Sequence, residues 1–145
     1  MIQIEDIIKI LQEKNPATIP NVMKSYQMAE YAHRGVMRES GDPYITHPLH
    51  VAKNLLDMEI YDGDTICAAL LHDVVEDSDL TLEDIEANIN KTVSELVDGV
   101  TKMRRMNFSS KEDQNNANTR KIITSLTKDV RILIIKSLKS KKKML

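Results

Sequence analysis

Along most of this chain apolar residues recur at intervals of three and four, the period of one α-helical face, with turn-forming residues between the stretches. Ile4, Ile7, Ile8 and Leu11 predict a first amphipathic helix that stops around Asn15-Pro16. A second is predicted over about 20–37, with Val22, Tyr26, Ala29 and Ala32-His33 along it. Glu39-Ser40-Gly41-Asp42-Pro43-Tyr44 is turn chemistry and reads as a loop. Pro48 suits the first turn of a third helix, to about Met58, and Asp62-Gly63-Asp64 opens a fourth. Thr81 and Asp84 have the spacing of a capping box for a short fifth helix, and Val93, Leu96, Val97, Val100 and Met103 define a sixth. Beyond the polar loop Asn107-Phe108-Ser109-Ser110, Ser109 and Glu112 repeat the cap signal, and helices are expected over 111–127 and from Asp129. Val130-Arg131-Ile132-Leu133-Ile134-Ile135 has strand-like composition, but one strand among helices would have no partner, so a buried helix is expected. The expected fold is all-α.

The fourth helix changes character midway. Ile66-Cys67-Ala68-Ala69-Leu70-Leu71 is followed by His72-Asp73-Val74-Val75-Glu76-Asp77. On one continuous helix the four polar side chains of that second run span an arc of roughly 140°. Cys67, Ala68, Leu70, Leu71, Val74 and Val75 take the opposite side. One face would pack while the other presents an acidic, His-bearing surface. His72 and Asp73 offer a nitrogen and an oxygen suited to Mn, Fe or Zn. Glu76 and Asp77, one turn on, would position or deprotonate a metal-bound water. A merely solvated acidic face is the plainer reading of the same pattern. A metal needs further ligands, and His47, in Tyr44-Ile45-Thr46-His47-Pro48-Leu49-His50, is the best candidate. The residue before a proline is held extended, so His47 is expected at a loop-to-helix junction from which it can project inward. His50 is expected to face elsewhere. His33 reads as structural or as support behind the ligands.

At 145 residues the chain is most simply one domain, and 41% hydrophobic content with 29% charged residues, four Gly and four Pro suits a folded helical protein. A single cysteine, Cys67, permits no internal disulfide, and no signal peptide or membrane-length apolar run is evident, so a cytoplasmic protein is expected. The net charge of −2 is unevenly spread: Lys136, Lys139, Lys141, Lys142 and Lys143 crowd the last ten residues, and without them residues 1–135 carry −7. An acidic body argues against a nucleic-acid-binding face, and one that handles phosphate needs a cation.

Three motif blocks now carry a resemblance: Ala32-His33-x-Gly35-x-x-Arg38-x-Ser40-Gly41-x-Pro43-Tyr44-x-x-His47-Pro48, Ala68 through Asp77, and Leu96-Val97-Asp98-Gly99-Val100-Thr101-Lys102. With Asp129 through Lys136 they resemble, in order and over roughly residues 25–136, the hydrolase domain of the RelA/SpoT family. The resemblance implies an HD-domain helical bundle that hydrolyses the guanosine tetra- and pentaphosphate alarmones to GDP or GTP and pyrophosphate, usually with Mn²⁺. It implies His47, His72 and Asp73 as metal ligands and Glu76 and Asp77 as the pair that orients or activates water. Arg38 is implied near the guanine base, with Ser40 beside it. No nucleic acid or membrane partner is expected.

The chain also departs from that family. After Lys136 the family continues Leu-Ala-Asp-Arg-Leu-His-Asn-Met, whose Asp is a fourth ligand. In register, Lys139 takes the place of that Asp and Lys143 that of the Asn, which lies in the nucleotide pocket. Glu39 stands where the family commonly has a basic residue. The implied organisation is therefore an HD-type domain over 1–136, incomplete at its C-terminal side, and a Lys-rich tail over 137–145. A 3′-pyrophosphohydrolase is the first reading of function. A catalytically impaired nucleotide-binding or regulatory module is the second, and an HD phosphohydrolase of another nucleotide the third.

Overall fold

The computed structural model describes residues 2–107, with side chains through residue 102. Its helices are α1 (Ile4–Lys14), α2 (Ile19–Ala32), α3 (Thr46–Asp57), α4 (Gly63–Leu71), α5 (Val74–Asp77), α6 (Leu82–Asn88) and α7 (Lys91–Asn107), with a 3-10 turn Pro16–Thr18 before α2. No β-strand occurs among the described residues. The expected elements beyond Asn107, including the Ser109–Glu112 cap, the run from Val130, Lys139, Lys143 and the boundary at 136, lie outside the described residues.

The apolar helix α4 forms the axis of the bundle, against which α2, α3 and α7 pack. All of Ile66 through Leu71 is buried, as befits a helix apolar on every side. The small side chains of Cys67, Ala68 and Ala69 let neighbouring helices approach, while Ile66, Leu70 and Leu71 each contribute about 1.5–3 kcal/mol by burial. Burial pushes the Cys67 thiol up to about 12, so it stays protonated. The start of α4 lies against Thr18: a β-carbon on Gly63 would fall 1.7 Å from the Thr18 hydroxyl, so only glycine fits. Asp62 caps this end by accepting from the Thr65 N–H at 3.2 Å. Ile4, Ile7 and Leu11 bury the α1 face against α2 and α3, and Val93, Leu96, Val97 and Val100 bury that of α7. The expected box at α6 is present, Thr81 N–H on Asp84 Oδ2 at 2.9 Å and Asp84 N–H on Thr81 Oγ1 at 3.1 Å.

Three expectations are corrected. The second helix ends at Ala32, not near Met37, and His33 is its C-cap instead of an interior residue. Gly35, at φ +77°, turns the chain out of the helix, and residues 36–44 form a small hairpin. Tyr44 N–H donates to the Val36 carbonyl at 2.9 Å and Arg38 N–H to the Asp42 carbonyl at 2.8 Å. Its three-residue loop Glu39-Ser40-Gly41 has Gly41 at φ +89°, the left-handed position such a loop requires. His47 is not extended: α3 starts at Thr46, so His47 is its second residue. Pro48 is tolerated behind it because first-turn N–H groups have no helical partner. Lastly, 66–77 is not one helix, since α4 ends at Leu71 and α5 begins at Val74, leaving His72 and Asp73 in the turn between.

The α3 terminus supplies a stability test. Glu59 sits at φ +63°, and Ile60 N–H closes back on the Leu55 carbonyl at 3.0 Å, a left-handed helix stop normally made by glycine. A left-handed non-glycine residue costs roughly 1–2 kcal/mol, partly offset by the extra unfolded-state entropy of glycine. Glu59→Gly is therefore expected to stabilise the fold by about 0.5–1 kcal/mol, read as a higher urea midpoint, and Glu59→Val to lower it.

Candidate metal centre

The interruption after α4 builds the site. In an unbroken helix the Ala69 carbonyl would receive the Asp73 N–H; here it lies 2.6 Å from His72 Nδ1. A carbonyl only accepts, so Nδ1 carries a proton and Nε2 is the nitrogen turned towards Asp73 and available to a metal ion. That Nε2 is buried without a hydrogen-bond partner, although Asp73 Oδ2 lies 3.0 Å away. Two electron-rich atoms so close in a dry setting repel unless a proton or a cation lies between them.

His47 reaches the same place from the first turn of α3. Its Nε2 is 3.9 Å from Asp73 Oδ2, and its ring centroid 5.1 Å from that of His72. One donor atom from each of His47, His72 and Asp73 lies within 4.8 Å of the others, all three residues buried, so the group could hold a metal ion. Two imidazole nitrogens and a carboxylate oxygen suit Mn, Fe or Zn. On donor type, spacing and the unpartnered Nε2, the residues fit a divalent ion.

The other expected residues are placed differently. Glu76 and Asp77 are exposed on α5, one turn beyond the buried pair. Asp77 lines a cleft of about 640 Å³ together with Val36, Met37, Arg38, Glu39, Ser40 and Tyr44. Arg38 and Ser40 thus share one cleft with Asp77, and the Ser40 hydroxyl donates to Asp42 Oδ2 at 3.3 Å. Glu39, which departs from the family pattern, lines the same cleft. His50 is exposed on the far side of α3. His33 is buried with its ring 4.5 Å from Tyr44. Burial holds its imidazole below the ordinary value, against the pull of the Asp77 and Asp73 carboxylates. Tyr44 was not singled out from sequence: its hydroxyl donates to Asp73 Oδ2 at 2.5 Å. A phenol three residues before His47 gives no hint that it meets a carboxylate 29 residues further on.

A helical bundle that buries a histidine–aspartate pair at a helix break, with a histidine from α3 facing it, carries a donor set able to hold a divalent cation. The HD domain family model matches residues 25–144. The chain belongs to the HD domain family. It is 43% identical over 118 residues to a guanosine-3′,5′-bis(diphosphate) 3′-pyrophosphohydrolase of Vibrio cholerae, covering 81% of this chain and 17% of that protein. It is 41% identical over 133 residues to the bifunctional (p)ppGpp synthase/hydrolase SpoT of Escherichia coli K12, covering 91% and 19%. It is also similar to a GTP pyrophosphokinase of Streptomyces coelicolor, at 40% over 137 residues, 92% and 16%. The chain thus spans less than a fifth of the length of these relatives. A solved structure of a metazoan ortholog of SpoT that hydrolyses ppGpp matches with a TM-score of 0.61 at 31% identity, covering 81% of this chain and 65% of that one. No described helix is long and apolar enough to cross a membrane.

If the buried triad holds an ion, the chain purified without chelator and incubated with a divalent cation retains one ion per chain. His47→Ala and Asp73→Asn are each expected to weaken retention by about tenfold or more, measured by elemental analysis after gel filtration. EDTA should lower the unfolding midpoint of the loaded wild type only.

Proposed function

We propose that this chain is a metal-dependent alarmone pyrophosphohydrolase domain, taking ppGpp or pppGpp to GDP or GTP and pyrophosphate in the cytoplasm. The observation that carries the reading is the convergence of His47, from α3, on the buried His72–Asp73 pair. The named activities of the relatives support the choice of substrate.

His47, His72 and Asp73 would hold one divalent ion, Mn²⁺ by family resemblance. When bound, that ion acidifies a water and offsets phosphate charge. Glu76 and Asp77 orient the attacking water and take its proton, an exposed carboxylate pair placed one turn beyond the ligands. Water adds its oxygen to the phosphorus carried on the ribose 3′ oxygen, the phosphorus–O3′ bond breaks, and O3′ leaves as a hydroxyl, taking back through solvent the proton the carboxylate pair removed from the water. Arg38 lies near the guanine base, where its planar guanidinium can stack on the base or pair with a phosphate, with Ser40 beside it. Glu39 works against this binding, since an acid in the cleft repels a polyphosphate.

The test is pyrophosphate release from ppGpp with Mn²⁺. Glu76→Ala is expected to slow it by about 10²–10⁴-fold, the range of a lost general base. Equal rates for the two proteins, or no release, would remove the reading. Glu39→Lys should lower KM for ppGpp several-fold with kcat little changed, the signature of ground-state binding.

A second reading is a nucleotide-binding module without turnover, resting on Lys139 at the position of a family carboxylate ligand. It predicts affinity for ppGpp by calorimetry in a protein that releases no pyrophosphate.

A further inference from the structure

One side chain joins the cleft to the ion centre. Tyr44 closes the hairpin through its N–H on Val36, lines the cleft beside Arg38, and donates its hydroxyl to Asp73 Oδ2. Its ring is held on two sides by imidazoles, His33 at 4.5 Å and His47 at 5.8 Å between centroids. The oxygen it grips is the one nearest both candidate ligand nitrogens, 3.0 Å from His72 Nε2 and 3.9 Å from His47 Nε2.

An aspartate carboxylate turns freely about its last torsion, where the wells are broad. With no ion between the imidazoles, Oδ2 can turn away from His72 Nε2 and His47 Nε2. A donor anchored by ring packing on two sides opposes that swing and keeps the oxygen aimed between the imidazoles. Such outer partners orient metal-binding carboxylates, and losing one costs about 10–100-fold in affinity.

We propose that Tyr44 is a positioning residue for the ion centre, its hydroxyl setting the Asp73 rotamer that completes the donor set with His47 and His72. The proposal rests on reading those three residues as a divalent-ion site, but not on the choice of substrate.

Tyr44→Phe keeps the ring between the two imidazoles and removes only the donor. Titration with Mn²⁺ by calorimetry, and with Co²⁺ by visible absorption, should show affinity about 10–100-fold weaker than wild type, with an altered cobalt band. The ion-free unfolding midpoint and circular dichroism should stay near wild type, which a loss of fold would not allow. Tyr31→Phe, an exposed phenol on α2, should bind as wild type does. Affinity of Tyr44→Phe within twofold of wild type overturns the proposal and leaves the ion site standing. A wild type that takes up neither ion overturns both. Absence of ppGpp hydrolysis with Mn²⁺ bound sinks only the substrate reading, and the affinity comparison still decides Tyr44.

Discussion

The Ala69 carbonyl and the His72 imidazole form the contact on which the rest of the site depends. Helix α4 is apolar on every side and runs through the middle of the bundle, so a histidine at its end enters a nearly water-free space. Such a group must find a partner or cost several kcal/mol. Ending the helix at Leu71 lets that carbonyl accept a hydrogen bond from Nδ1, which turns Nε2 towards Asp73. Everything at the centre is then a question of what positive charge fills the gap.

The surroundings answer in graded steps from dry to wet. Asp73 and His72 are almost wholly buried, His47 nearly so, and Tyr44 half-buried, while Glu76, Asp77, Arg38 and Ser40 stand in water around the cleft. A cation is held best where competing water is scarce. The helix break places the buried donor set and an exposed carboxylate pair within one turn of each other. Glu39 lines the same cleft as Arg38, so side chains of both signs face it.

Much of the bundle was legible because its signals are local. Ile4, Ile7 and Leu11, like Val93, Leu96, Val97 and Val100, are buried where their spacing places them, and Thr81 and Asp84 form their box within three residues of each other. Val22, Tyr26, Ala29 and Ala32-His33 keep helical spacing and so predict a helix running past its actual end at Ala32, where Gly35 at φ +77° turns the chain away. His47 was expected to project inward, which it does, but from within α3 and not from an extended residue. The arc of polar residues over 72–77 assumed one continuous helix. The break separates the buried pair from the exposed pair instead of leaving all four on one face.

What the sequence determined alone were the positions of most helices among the described residues, the Thr81–Asp84 cap and the residue types able to bind a cation. These follow from contacts within a turn or two of chain, which periodicity reports. The tertiary structure decided which of them meet. That Tyr44 grips Asp73, that Nε2 of His72 rather than Nδ1 faces the gap, and that Glu39 shares the cleft with Arg38 depend on how α2, α3 and the hairpin pack around α4. Packing sets rotamers and tautomers through neighbours distant in the chain, and no spacing along it encodes them.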